Sequence, residues 1–213
     1  MEFAKLIKIA GDEPIFESGL LLAGDVNKND VHRQLSRWTK AGKLYKLRRG
    51  VYTLAPPFQK VKPHPFLVAN CMVRASYVSC QSAMAYYGII PEHVEVTISV
   101  TTMRPARWKT PLGTYEYHHV QTDFLHGYKS TELGMGQSAF VATPEKALLD
   151  FIYLQPGSDS LDYLKELRLQ NLDRLSLSKL NRWAQITNRQ KLLRATTLIL
   201  QLAETEAKDY TKL

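Results

Sequence analysis

Glu145, Lys146 and Asp150 fall in one short run, and acids gathered beside a lysine are what metal-dependent phosphodiester cleavage needs. The run, however, follows Thr143-Pro144, which reads as a helix start with Thr as cap and Pro at the first helical position. There Glu145 has an ordinary role against the helix dipole. His118 and His119 are neighbours in an alternating stretch, so on a strand they point to opposite faces and cannot share a metal ion. His93 and His126 would have to converge on them from elsewhere. Cys71 and Cys80 lack zinc or redox spacing and are expected to behave as small buried apolar groups. Gly134-Met135-Gly136 has neither a third glycine nor a following helix, so it reads as a turn, and no HExxH, GxSxG or phosphate-loop pattern occurs. The residues therefore imply no enzyme, no cofactor and no metal.

A different chemistry is written between Val26 and Lys60, which hold nine Lys/Arg against one acid, Asp30. Such a local field draws in polyanions. The elements that would position it are legible. Val31, Leu35 and Trp38 recur at helical spacing and form one apolar stripe, with Asn27 or Asn29 as cap and Ala41-Gly42 as stop. The other face carries Lys28, Asn29, His32, Arg33, Ser36, Arg37 and Lys40, suited to phosphates and base edges in a major groove. Asn29, His32 and Ser36 are the candidate base readers. Leu44–Leu47 and Val51–Leu54 then read as strands around a tight Arg48-Arg49-Gly50 turn, giving a basic wing with Lys46, Arg48 and Arg49. Upstream, Phe3, Leu6, Ile7 and Ala10 share one helical face, Ile15-Phe16 suits a short strand pairing with the wing, and Glu17 to Ala23 suits a second helix before a Gly24-Asp25 turn.

The expected fold is α+β: a winged helix-turn-helix over residues 1–57, then a mixed α/β domain with a helical C-terminus over 58–213. The boundary is set at the Pro-dense stretch from Pro56-Pro57 to Pro65, which no periodic pattern crosses. With 213 residues, 45% of them hydrophobic, the chain can hold two packed cores. Its net charge of +8 makes nucleic acid the first partner to consider. It has neither a long apolar run nor the start of a secretion signal, so no membrane partner and a cytoplasmic location are expected.

The second part should begin with helices over Phe66–Arg74 and Cys80–Tyr87, the latter capped by Ser79. Strands follow over Val94–Thr101 and Gly113–Val120, with a hairpin from Phe124 to Ala142. Met103–Pro111 reads as a stiff basic loop in which Arg104, Arg107 and Lys109 surround Trp108, able to stack on nucleic acid or simply to face solvent. After Pro156-Gly157 the pattern is helical, over Ser160–Leu169, Ser178–Ile186 and Arg189–Ala207. Arg174, Lys179, Arg182, Arg189, Lys191 and Arg194 meet no acid in that run, a second candidate basic patch or a solvated helical face.

Several longer motifs carry a resemblance. They are Leu35–Leu44 (LSRWTKAGKL), Leu47–Tyr52 (LRRGVY), Tyr77–Pro91 (YVSCQSAMAYYGIIP), Thr110–Tyr115 followed by His118-His119-Val120, and Val141–Asp150 (VATPEKALLD). Together they resemble the AbiEi family of bacterial antitoxins, from type IV abortive-infection toxin–antitoxin pairs, over nearly the whole chain. Cys80 and Gln81 stand where relatives often carry other polar residues. The resemblance implies an N-terminal domain that represses its own operon by binding inverted repeats in the promoter. It also implies a C-terminal domain that counters a cognate nucleotidyltransferase-like toxin without a stable complex. The alternative from another class is an enzyme whose C-terminal domain processes nucleic acid or reverses a toxin's modification, with Glu145 and His119 as the residues to test.

Overall fold

A computed structural model describes residues 2–23 and 26–210, with side chains through residue 205; the expected Gly24-Asp25 turn lies outside the described residues. The fold is mixed α+β, with eight helices and two sheets among those residues.

The first part begins with α1 (Phe3–Ala10), whose Leu6 and Ala10 are buried, and β1 (Phe16–Glu17). Where a helix was expected over Glu17–Ala23 there is only a 3-10 turn, Ser18–Leu22. Gly19 and three consecutive leucines supply no amphipathic stripe there, and only Leu21 is buried. Next comes α2 (Lys28–Lys40), started by Asn27, whose side chain accepts from the Asn29 N–H at 2.9 Å, and ended by Gly42 at φ +68°. Val31, Leu35 and Trp38 bury its stripe against Leu6, Phe16, Leu44, Tyr52 and Leu54. β2 (Leu44–Arg48) and β3 (Val51–Leu54) pair antiparallel around Gly50, and β1 pairs with β3, giving the order β1-β3-β2.

The second sheet has six strands. α3 (Pro65–Met72) leads to β4 (Ser76–Val78) and α4 (Cys80–Tyr86); β5 (Val96–Thr101), β6 (Ala106–Thr110) and β7 (Gly113–His119) follow, then the hairpin β8 (Tyr128–Gly134) and β9 (Gln137–Ala142). Their order is β6-β7-β5-β4-β9-β8, with β5–β7 and β4–β9 parallel and the other pairs antiparallel. The chain closes with α5 (Pro144–Leu154), α6 (Leu161–Glu166), α7 (Leu177–Thr187) and α8 (Gln190–Tyr210). β6 corrects the expectation of a basic loop. Pro105 and Pro111 flank a strand rather than forbid one, because only Arg107 and Lys109 face outward while Ala106, Trp108 and Thr110 turn toward the sheet.

Ser79 precedes α4 as expected but makes no cap bond. Its hydroxyl donates instead to Asp150 on α5 at 2.6 Å. Tyr77 donates to the same carboxylate at 3.0 Å, and Lys146 pairs with its other oxygen, all of it within the core. Buried residues form two clusters, one around α2 and a larger one around the six-stranded sheet. Leu47 and Val51, although in the hairpin of the first part, belong to the larger one.

Candidate nucleic-acid interface

The α2 residues sort into two rows by the i, i+4 rule. Lys28, His32, Ser36 and Lys40 line one wall of an open groove of about 840 Å³; Lys46 on β2 and Arg49 and Gly50 at the hairpin turn line the other. Four cations thus converge on one concavity, and no carboxylate lies among its described lining residues. Asn29, Arg33 and Arg37 form the adjacent exposed row, where Arg33 pairs with Asp30 one turn back. Both members of that pair are largely exposed, so it is cheap to break.

The floor of the groove was not anticipated. Ser18 and Gly19 of the 3-10 turn contribute to it, tied to the hairpin by the Ser18 N–H donating to the Gly50 carbonyl at 2.8 Å. Tyr52 adds a buried phenol whose pKa burial raises. Gly50 at φ +83° supplies the turn that sets Arg49 at the rim. Reading Glu17–Ala23 as a helix hid this contribution; the small Ser18-Gly19 pair was the available signal.

Arg48 is a correction. It was expected at a phosphate or groove, but its guanidinium lies over the Trp108 ring, 4.8 Å from the centroid, and donates to the Met72 carbonyl. Trp108 correspondingly does not offer a free stacking face: Arg48 covers it, and Tyr117 packs edge-on at 5.1 Å.

The second basic patch is largely absorbed by internal bonds. Lys179 pairs with Glu145 at 3.4 Å and Arg194 with Asp159 at 2.6 Å. Lys191 donates to the Gln155 carbonyl; Arg189 donates to Gln121 and lies over Tyr153. Each of these ties the C-terminal helices to an earlier loop or helix. Arg107 sits 3.7 Å from Glu116. Arg104, Lys109, Arg174 and Arg182 remain exposed, on separate elements.

The acids and histidines that suggested chemistry have structural partners. Asp150 is fully buried, and desolvation pushes its carboxyl up despite Lys146 and the two hydroxyls. Burial works to raise Glu145 too, yet the Ser176 N–H at 3.0 Å and the nearby Lys179 leave it below its ordinary value. His118 faces Glu116 at 3.0 Å, whereas the His119 ring meets the Met103 carbonyl at 3.1 Å. Burial raises both thiols, Cys71 to about 11 and Cys80 well above its ordinary value, so neither is an activated nucleophile. Among the described residues no group of three or more His, Cys, Asp or Glu side chains is placed to hold a metal ion. No family model matches the chain, and no curated protein matches it.

Proposed function

We propose that residues 1–57 act as a winged helix-turn-helix that binds duplex DNA, with α2 as the recognition helix and the β2–β3 hairpin as the wing. The observation that carries this is the groove in which Lys28, His32, Ser36 and Lys40 face Lys46 and Arg49 without an opposing carboxylate among its described lining residues. Lys28, Lys40, Lys46 and Arg49 take phosphates, assisted by Arg33 and Arg37 from the adjacent row. Asn29, His32 and Ser36 are the candidate readers of base edges.

The likeness to AbiEi antitoxins extends the proposal: a non-enzymatic autorepressor acting in the cytoplasm on inverted repeats in its own promoter. In that reading residues 58–213 form the antitoxin domain, which opposes a nucleotidyltransferase-like toxin without a stable complex. No helix among the described residues is long and apolar enough to cross a membrane.

Binding of the full chain to its promoter fragment, measured over a salt series, tests the first claim. Lys46→Ala and Arg49→Ala should each lower affinity and reduce the slope of log K against log salt by about one unit. Unchanged affinity and slope in the double variant would refute the groove. Growth rescue on co-expression with the neighbouring toxin gene tests the second: the double variant should lose repression and keep rescue.

A further inference from the structure

Arg48 and Arg49 are adjacent in sequence and part company in space. The register between β2 and β3 shifts between Lys46 and Arg48, and an irregularity of this kind re-aims the side chain beyond it. Arg49 therefore reaches the groove, while Arg48 is carried round to the six-stranded sheet.

What Arg48 meets there is a closed circuit. Its guanidinium lies 4.8 Å from the centroid of the Trp108 ring on β6 and donates to the carbonyl of Met72, the last residue of α3. That carbonyl is one of the four a helix cannot satisfy internally, and it sits at the negative end of the helix dipole, where a cation is favoured. Trp108 packs edge-on against Tyr117 of β7, and the Tyr117 hydroxyl donates at 2.7 Å to Ala69, one turn earlier on the same helix. On the other side of the hairpin Glu17, paired with Val51 in the sheet, accepts from Arg74 at 2.6 Å. Leu47 and Val51, on either side of the turn, are buried in the larger core. The hairpin is thus held by the Arg48 cation and two apolar side chains, while the largely exposed Arg74–Glu17 pair beside it adds little.

We infer that Arg48 and Trp108 form a clamp that fixes the hairpin's orientation on the six-stranded sheet. Its consequence for binding, which rests on the DNA-binding reading above, is that Trp108 tunes duplex affinity without touching the duplex. Arg48 and Trp108 are positioning residues; Arg49 is the contact.

The experiment uses the full chain, a labelled mixed-sequence duplex and hydrogen exchange over Leu44–Leu54, with Arg48→Ala, Arg48→Lys, Trp108→Ala, Trp108→Phe and Arg49→Ala. Trp108→Ala and Arg48→Ala should each speed exchange in the hairpin and weaken duplex binding roughly three- to tenfold, with the salt slope unchanged. Combining them should cost less than the sum of the two, because both remove the shared Arg48–Trp108 contact. Trp108→Phe should restore most of the loss, and Arg48→Lys, which keeps the charge but not the planar stack, should restore less. Arg49→Ala should lower the slope by about one unit and leave exchange alone. Arg48→Lys, which should still speed hairpin exchange part of the way, carries the test should an Ala variant fail to fold.

Unchanged hairpin exchange in Trp108→Ala, or in Arg48→Lys where an Ala variant does not fold, would overturn the clamp, as would a slope loss in Arg48→Ala equal to that of Arg49→Ala. A wild-type chain that ignores the duplex would overturn the DNA-binding reading instead, and exchange alone would then decide the clamp.

Discussion

Removing Asp150 should be far more damaging than removing Lys146, although the two are partners in one buried pair. Asp150 is 0% exposed and accepts from Lys146, Ser79 and Tyr77; Lys146 is 1% exposed and rests over the Phe124 ring, 4.2 Å from its centroid. Asp150→Ala strands a buried ammonium, at about 3–5 kcal/mol, and leaves two hydroxyls without an acceptor, at about 1–3 kcal/mol each. The total approaches the whole stability of an ordinary domain, about 5–15 kcal/mol, so the variant should be largely unfolded. Lys146→Met keeps an unbranched chain over Phe124 and leaves Asp150 its two hydroxyl donors, so its cost should fall at or below the lower end, about 3 kcal/mol. The two variants also differ in pH dependence. Burial already pushes the Asp150 carboxyl up, and losing Lys146 removes the first influence that holds it down. A folded-state pKa above the unfolded one means that the folded chain binds the proton first, so stability is lost as pH rises through it and regained on acidification. The Lys146→Met deficit should therefore shrink as pH falls from 8 toward about 5. Urea denaturation of both variants across that range is the assay. An Asp150→Ala chain as stable as Lys146→Met, or a Lys146→Met deficit that grows in acid, would refute this account.

Three further outcomes follow from packing and burial. Trp38 is 8% exposed and lies 5.3 Å from the Phe3 ring, so Trp38→Ala should cost about 3–5 kcal/mol and expose α2 to limited proteolysis. Gly127 has φ +75°, and an added Cβ would sit 2.7 Å from the Trp183 ring; Gly127→Ala should lower the melting temperature, and Trp183→Ala in the same chain should recover part of the loss. Burial holds the His64 and His126 rings below their ordinary value. Acidification through about 6.5 therefore loads the unfolded chain with protons first and lowers stability, a dependence that His126→Asn should flatten in urea titrations.

How much of this could be read without coordinates depends on whether a signal is local. The apolar stripe of α2, an asparagine cap that the sequence leaves open between Asn27 and Asn29, and the Gly50 turn are encoded within a few residues; the structure has the stripe and the turn and makes Asn27 the cap. Ser79 looks like a cap for the same local reason, yet its hydroxyl goes to Asp150, a partner 71 positions away that no spacing rule connects. The charges of the wing are countable, but counting cannot say that a register shift sends Arg48 one way and Arg49 the other. The basic run Arg174–Arg194 misled similarly, because its carboxylate partners, Glu145 and Asp159, lie earlier in the chain. β6 was missed since its prolines and charges resemble a loop, while its alternation shows only against β7.

The two rims of the six-stranded sheet have a bearing on how the molecule behaves in a crowd. An outermost strand offers unpaired N–H and C=O groups that invite a neighbouring polypeptide to extend the ladder. β6 meets this with outward Arg107 and Lys109 and with β2 alongside; β8 does so with Lys129, Glu132 and a register shift beside Gly134. Two copies drifting together along β6 would bring like charges face to face, and along β8 they would meet a bent, polar margin. The same Arg107 and Lys109 that suggest a nucleic-acid contact thus also disfavour edge-to-edge pairing of two copies.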